Sequence, residues 1–154
     1  MVPTDLAEPG SAKAIAVAAA LRLDRILAAK TPVILGVGTG RTMRACVQHL
    51  QEVTRPQHKV VSLVGNMATD GRASMYEVAM HLADRIGAQR FPLAVPVMAA
   101  SPEECRILQS LASYQAVRDL YRKLNVVFMG ISEIAWQCPL QRDGFAHGDD
   151  IADL

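Results

Sequence analysis

The chain is poor in aromatic side chains, has only three cysteines, and contains no run of lysine or arginine. Its 16 basic and 15 acidic residues leave a formal net charge of +1. That balance argues against a nucleic-acid grip in this piece, because such a grip needs clustered positive charge to neutralise phosphates. Cys46, Cys105 and Cys138 stand far apart, with neither C-x-x-C spacing nor the even count of a disulfide framework, so a reducing, cytoplasmic setting is expected. No apolar stretch reaches the ~20 residues needed to span a bilayer. Met1 leads into Val-Pro-Thr-Asp rather than a basic and then apolar leader, so no membrane role or export is expected. Internal repeats and low-complexity tracts are lacking as well.

What the chain does have is apolar surface to bury. Of its 154 residues, 51% are hydrophobic and 20% charged, a composition that suits one close-packed α/β domain. Three short, largely β-branched clusters read as parallel strands buried on both faces: 32–36, 59–64 and 125–130. A fourth, 91–95, is weakened by Pro92 and Pro96 and belongs near a sheet edge. Between them lie helical patterns. Met43, Cys46, Val47 and Leu50 recur on one stripe, as do Met75, Val78, Ala79, Leu82 and Ile86. Ser74 with Glu77 has the spacing of a capping box, and Gly87 supplies a left-handed stop. Ser101-Pro-Glu-Glu104 opens another helix, with Ser at the N-cap and Pro at the first turn. Further helices are expected over 13–29 and 115–124. Strands about thirty residues apart are what βαβ units require. The fold expected is therefore an open, mostly parallel, Rossmann-like sheet flanked by helices. The residues after Gly130 contain Trp136, Pro139, Gly144 and Gly148 and end on Asp149-Asp150-Ile-Ala-Asp-Leu154. They read as the first turn of an unfinished helix, and the expectation is a fragment of a larger domain.

The segment with the most chemistry is Val33-Ile-Leu-Gly-Val-Gly-Thr-Gly-Arg-Thr42, a buried strand that runs through three glycines into an amphipathic helix. Glycines let the backbone approach a ligand closely, and the helix start aims N–H groups and a positive dipole end at one spot. Thr39 and Thr42 add hydroxyls and Arg41 a charge, so an anion, a phosphate above all, is the expected occupant. The dinucleotide fingerprint fails because Arg41 stands where its third Gly is needed, and the Walker G-K-[ST] is absent. Gly-rich turns of this kind also occur for close packing alone. Ligands of open α/β sheets sit outside the carboxyl ends of the strands, which nominates Gly65 and Asn66 after the second strand and Gly130 and Ser132 after the last. Ordinary turn formation explains those residues equally well.

Other features carry less. His49, His58 and His81 read as surface or loop residues, and His147 lies beside Asp149 and Asp150 without zinc spacing, so no metal and no cofactor is expected. Asp70-Gly-Arg72 reads as a turn before a helix and Trp136 as a packing anchor. Arg118, Arg122 and Lys123 read as a solvated face.

Taken in order, Gly36-Val-Gly-Thr-Gly-Arg-Thr42, Val60-Val-Ser-Leu-Val-Gly65, the helix 79–87, Leu93-Ala-Val-Pro96, the strand 126–132 and the tail Cys138-Pro-Leu-Gln-Arg-Asp-Gly-Phe145 resemble the effector-binding domain of the SorC/DeoR family of bacterial transcriptional regulators. The resemblance implies a fold similar to sugar-phosphate isomerases and CoA transferases, used to sense phosphorylated sugars. It implies a homo-oligomer that meets DNA only through a helix-turn-helix outside residues 1–154, and a sensor domain that continues beyond Leu154. Its phosphate loop falls on Gly38, Thr39, Gly40, Arg41 and Thr42, and its later loops on Gly65, Asn66, Gly130 and Ser132. Arg41 and Ser132 depart from the residues often found there. Residues 1–154 thus read as one partial effector-binding domain with no catalytic residue. The rivals are an isomerase-like enzyme, which needs a carboxylate base beside the anion loop, and an oligomerisation domain without ligand.

Overall fold

The computed structural model describes residues 11–66, 77–131, 136–138 and 141. In chain order the elements are α1 (Ser11–Leu27), β1 (Ile34–Val37), α2 (Arg41–Gln48), β2 (Lys59–Ser62), α3 (Val78–Arg85), β3 (Gln89–Phe91), α4 (Pro102–Ser110), α5 (Ala112–Tyr121) and β4 (Val126–Phe128). The four strands form one parallel sheet in the order β3-β2-β1-β4. Two crossovers step outward from β1, and the third returns to its other side. Because such crossovers are right-handed, α2 and α3 cover one face and the α4–α5 connection lies over the other. Accordingly α1, α2 and α3 pack together, while α5 meets β2.

The core follows from the alternation of the strands. Leu35 and Val37 of β1 and Val60 of β2 point into the α1–α2–α3 layer, against Leu23, Leu27, Met43, Cys46, Leu50, Leu82 and Ile86. Burying each large aliphatic contributes about 1.5–3 kcal/mol, so this layer is the main source of stability. Burial first, and then the nearby Asp24 carboxylate, pushes the Cys46 thiol up to about 11. It remains a protonated packing residue.

Local sequence signals fix several ends. Gly87 adopts φ +59, and Gly87 N–H and Ala88 N–H donate to the carbonyls of Asp84 and Ala83, the reciprocal closure of a Schellman motif. Ser101 Oγ accepts from Glu104 N–H at 3.1 Å, with Pro102 at the first helical position. Other ends differ from expectation. The helix α3 starts at Val78 with Glu77 at its N-cap, three residues after the expected cap. The segment 112–124 begins its helix at Ala112, directly behind an extended Leu111. Strand β3 occupies Gln89–Phe91 and not 91–95. It stops one residue before Pro92, and its expected place at the sheet edge is correct. Strand β4 is not buried on both faces: Val127 is 49% exposed and, just past the strand, Met129 is 64% exposed, because β4 is the other edge of the described sheet. Trp136, expected as a packing anchor, is 67% exposed. Ser74, Met75, Asp70–Arg72, Ser132, His147 and the segment 149–154 lie outside the described residues.

The largest departure is His58, expected on the surface and found completely buried. Its Nδ1 accepts from Val33 N–H at 3.1 Å and its Nε2 lies 3.0 Å from the Leu27 carbonyl. Val33 N–H can only donate, so Nδ1 carries no proton and Nε2–H donates to Leu27. The main chain of His58 also accepts from Gln89 N–H and donates to the Arg55 carbonyl. One residue therefore ties the end of α1 to the starts of β1 and β3. Replacing His58 with Ala leaves two buried backbone groups without partners and opens a cavity; each orphan costs about 1–3 kcal/mol. We predict that His58→Ala lowers unfolding free energy by about 3 kcal/mol or more in urea titration, and an unchanged midpoint would contradict this role.

Candidate functional site

In a sheet ordered β3-β2-β1-β4, the direction of winding reverses between β1 and β4. Loops leaving the carboxyl ends of those two strands part to opposite faces, and the crevice between them is where such sheets bind ligands. The β1–α2 loop and the segment after β4 flank that point. Gly38 N–H donates to the Phe128 carbonyl at 2.9 Å, so its amide belongs to the sheet and is spent there. A Cβ on Gly38 would lie 3.4 Å from Met129, ordinary contact, and one on Gly130 would lie 3.7 Å from the Thr39 carbonyl. The structure thus brings Gly38, Thr39 and Gly130 side by side.

Beyond Gly38 the chain turns at Gly40, whose φ of 115 and ψ of 167 are essentially restricted to glycine. Nothing lies within 4 Å of a Cβ built there. The glycine is required by backbone conformation and not by crowding. It serves as N-cap of α2, and its carbonyl accepts from Arg44 N–H at 2.9 Å, the first bond of that helix. Gly40 has no side chain with which to cap, and no side-chain hydrogen bond closes this end. The first-turn amides, which begin at Arg41 and Thr42, have no acceptor within the helix. Helices α3 and α5 also lack side-chain caps, so a missing cap does not mark a site. What distinguishes α2 is that its open end stands over the reversal point. Arg41 and Thr42 are both exposed, and Met43 behind them is buried.

Gly65 and Asn66 follow β2 at the same end of the sheet. A Cβ on Gly65 would meet the Val95 carbonyl at 2.3 Å, so this glycine is dictated by a close approach of main chains. Asn66 N–H donates to Val95 and its carbonyl accepts from Val97 N–H, at 2.8 and 2.9 Å. Residues 95–97 are a strap that holds the loop, which the sequence reading did not anticipate. Pro92 and Pro96 pointed to interrupted pairing, but not to its resumption opposite Asn66. Ser132 lies outside the described residues, and the structure says nothing of its place.

Two further residues escaped notice because they sit on apolar stripes or strand borders. Tyr121 donates its hydroxyl to the Ser62 carbonyl at 2.9 Å. Burial and then Tyr114 raise its pKa, so the phenol keeps its proton and remains a donor at neutral pH. A tyrosine on an otherwise apolar stripe was the available signal, since a half-buried phenol needs a partner. The Asn125 side chain accepts from Ile34 N–H at 2.8 Å while its own N–H donates to the Ile34 carbonyl. That pair starts the β1–β4 pairing on which the crevice depends.

A separate cleft of about 680 Å³ runs between α2 and α3, lined by Arg44, Gln48, Glu52, His81, Asp84 and Arg85 among others. It does not include the β1–α2 loop. Within it Arg85 lies 3.5 Å from Glu52 and is bonded to the Leu50 carbonyl at 2.6 Å, and Asp84 pairs with Arg90 at 2.7 Å. The convergence of loops at the strand ends is the better candidate, because there the topology sets a helix start beside the point where the sheet reverses.

Two substitutions test this account of the loops. Gly40→Ala forces a side chain into a glycine conformation, at a cost of about 1–3 kcal/mol. Gly65→Ala pushes a Cβ against fixed main chain, with an overpacking cost of about 1–3 kcal/mol. Both are expected to lower the melting temperature, and only Gly65→Ala should speed hydrogen exchange at Asn66 and Val97. Equal exchange in the two variants would contradict the strap.

Over residues 1–154 the chain matches the family model described as "Putative sugar-binding domain". It is 23% identical over 121 residues to the erythritol catabolism regulatory protein EryD of Brucella abortus, covering 79% of this chain and 38% of that protein. Among solved structures it is similar to a DeoR family transcriptional regulator from Listeria monocytogenes, with a TM-score of 0.83 at 18% identity, covering 98% of this chain and 58% of the other. The full-length sorbitol operon regulator SorC from Klebsiella pneumoniae superimposes with a TM-score of 0.81 at 20% identity, over 99% of this chain and 50% of SorC. The chain thus spans between a third and three fifths of the length of these relatives. With a matching family model from end to end, the chain belongs to the putative sugar-binding domain family, and it shares its fold with regulators of the DeoR and SorC type.

Proposed function

We propose that this chain senses a phosphorylated sugar or polyol for a cytoplasmic regulator of carbohydrate metabolism, and that it works by binding without turnover. The observation that carries the reading is the open N-terminus of α2 at the point where the sheet reverses, faced by Gly130. Amides of a first helical turn and the helix dipole favour an anion. Arg41 supplies a charge and Thr39 and Thr42 hydroxyls, a donor set that suits a phosphate. In this reading Gly65 with Asn66, and Gly130, meet the polyhydroxy end of the ligand, and Ser132 is proposed with them from the sequence alone. The names of the Brucella and Klebsiella relatives tie them to erythritol and sorbitol, which suggests the class of ligand here and not its identity.

In this reading the domain acts within a homo-oligomer, and DNA is met by another part of the regulator. Ligand bound between the loops favours one arrangement of subunits over another, and it shifts that equilibrium only by its difference in affinity for the two.

The test is a thermal-shift titration of the full-length protein against phosphorylated sugars and polyols. A ligand at a hundredfold excess over its Kd, binding only the folded state, stabilises by about 2.7 kcal/mol. We expect one or more such ligands to raise the melting temperature, and Arg41→Ala combined with Thr42→Ala to abolish the rise. A shift that survives the double substitution removes the loop from the site. Isomerisation of ribose 5-phosphate by the purified protein would overturn the sensor reading in favour of catalysis.

A further inference from the structure

The ladder of β2 has a gap. Gln89 N–H donates to the His58 carbonyl and Lys59 N–H to Val33, so carbonyls at even positions of β2 face β3 and amides at odd positions face β1. β3 ends at Phe91, which stands opposite Val61. The Ser62 carbonyl is the next to face that side, and no strand reaches it. Tyr121, from the end of α5 on the opposite face of the sheet from α2 and α3, takes that carbonyl at 2.9 Å. The Ser62 hydroxyl in turn donates to the Val64 carbonyl at 2.8 Å. From there the chain reaches Gly65 and Asn66, where the strap at Val95 and Val97 takes hold again. The loop after β2 is thus suspended between two fixings, and Tyr121 is the one made by a side chain.

We propose that Tyr121 is a positioning residue for the effector site: by holding the Ser62 carbonyl where β3 has run out, its hydroxyl sets where the loop presents Asn66 to the polyhydroxy end of the ligand. This rests on the sensor reading above and assigns to α5 a part in recognition. Tyr121 acts through the loop, by way of the Ser62 carbonyl. Its removal is therefore selective. One neutral hydrogen bond corresponds to about 1 kcal/mol, or about fivefold in affinity.

The experiment uses the full-length protein and two probes, inorganic phosphate and the sugar or polyol phosphate that gives the largest thermal shift. Tyr121→Phe is expected to weaken the sugar phosphate about fivefold and to leave inorganic phosphate unchanged, whereas Arg41→Ala weakens both. Asn66→Ala should show the same selective loss. Combining it with Tyr121→Phe should add little, because the two act through one contact. Undiminished sugar-phosphate affinity in Tyr121→Phe, a parallel loss for both probes, or additive losses in the double variant would overturn the assignment to Tyr121 while leaving the sensor reading intact. If Tyr121→Phe does not fold, Asn66→Ala alone decides, and full affinity there overturns the proposal. Should the unsubstituted protein bind neither probe, the sensor reading fails and this inference with it.

Discussion

The arrangement at the strand ends depends on the return of the chain, after α5, to the far side of β1. Had β4 joined the sheet beyond β3, the winding would not reverse and α2 would start beside covered strand ends. The return is secured at both ends of a short pairing. Asn125 brackets Ile34 with its side chain and main chain, and Gly38 N–H closes on the Phe128 carbonyl. The second of these bonds uses the amide of a glycine that sequence alone assigns to the ligand. It also fixes where the turn leaves the sheet, and so where the amides from Arg41 onward are directed. Order in the loop is obtained from the sheet, and the helix start that follows is the site proposed for the ligand.

Much of this fold can be read from residues. Parallel strands announce themselves as short β-branched runs. The stripe of Met43, Cys46, Val47 and Leu50 is buried throughout, and the caps at Gly87 and Ser101 lie where local stereochemistry puts them. The glycine-rich turn was legible because only a few purposes require such a sequence between a buried strand and a helix. Illegible features are those decided by distant partners. His58 has no sequence neighbour that explains its burial, since its ring answers Val33 and Leu27, 25 and 31 residues away. Gly65 looks like a turn former until Val95 is known to pass beneath it. Strand β3 lies at Gln89–Phe91, nearer the N-terminus than expected, because its pairing starts where Gln89 N–H meets the His58 carbonyl, again a distant partner.

Membership of the sugar-binding domain family and the loop geometry answer different questions. The family match and the superpositions establish the type of domain and its fold, at identities of 18 to 23%. They leave open which side chains meet the ligand in this chain. Here that choice follows from topology and from the chemistry of a helix start. The same reasoning sets aside the cleft between α2 and α3, where Arg85 faces Glu52 and Asp84 faces Arg90. The loop after β2 is held both by α5, through Tyr121, and by the 95–97 strap, which is the basis on which we propose that recognition is coupled to the connection crossing the other face of the sheet.

The most direct measurement is an amide-resolved titration: a 15N-labelled full-length protein followed by NMR as phosphate, and then a binding sugar phosphate, is added. The account predicts saturable shifts of the Thr39, Gly40, Arg41 and Thr42 amides, shared by both ligands and absent with an uncharged sugar. Shifts confined to Arg44, His81 and Arg85 around the α2–α3 cleft, with the β1–α2 turn unmoved, would contradict it.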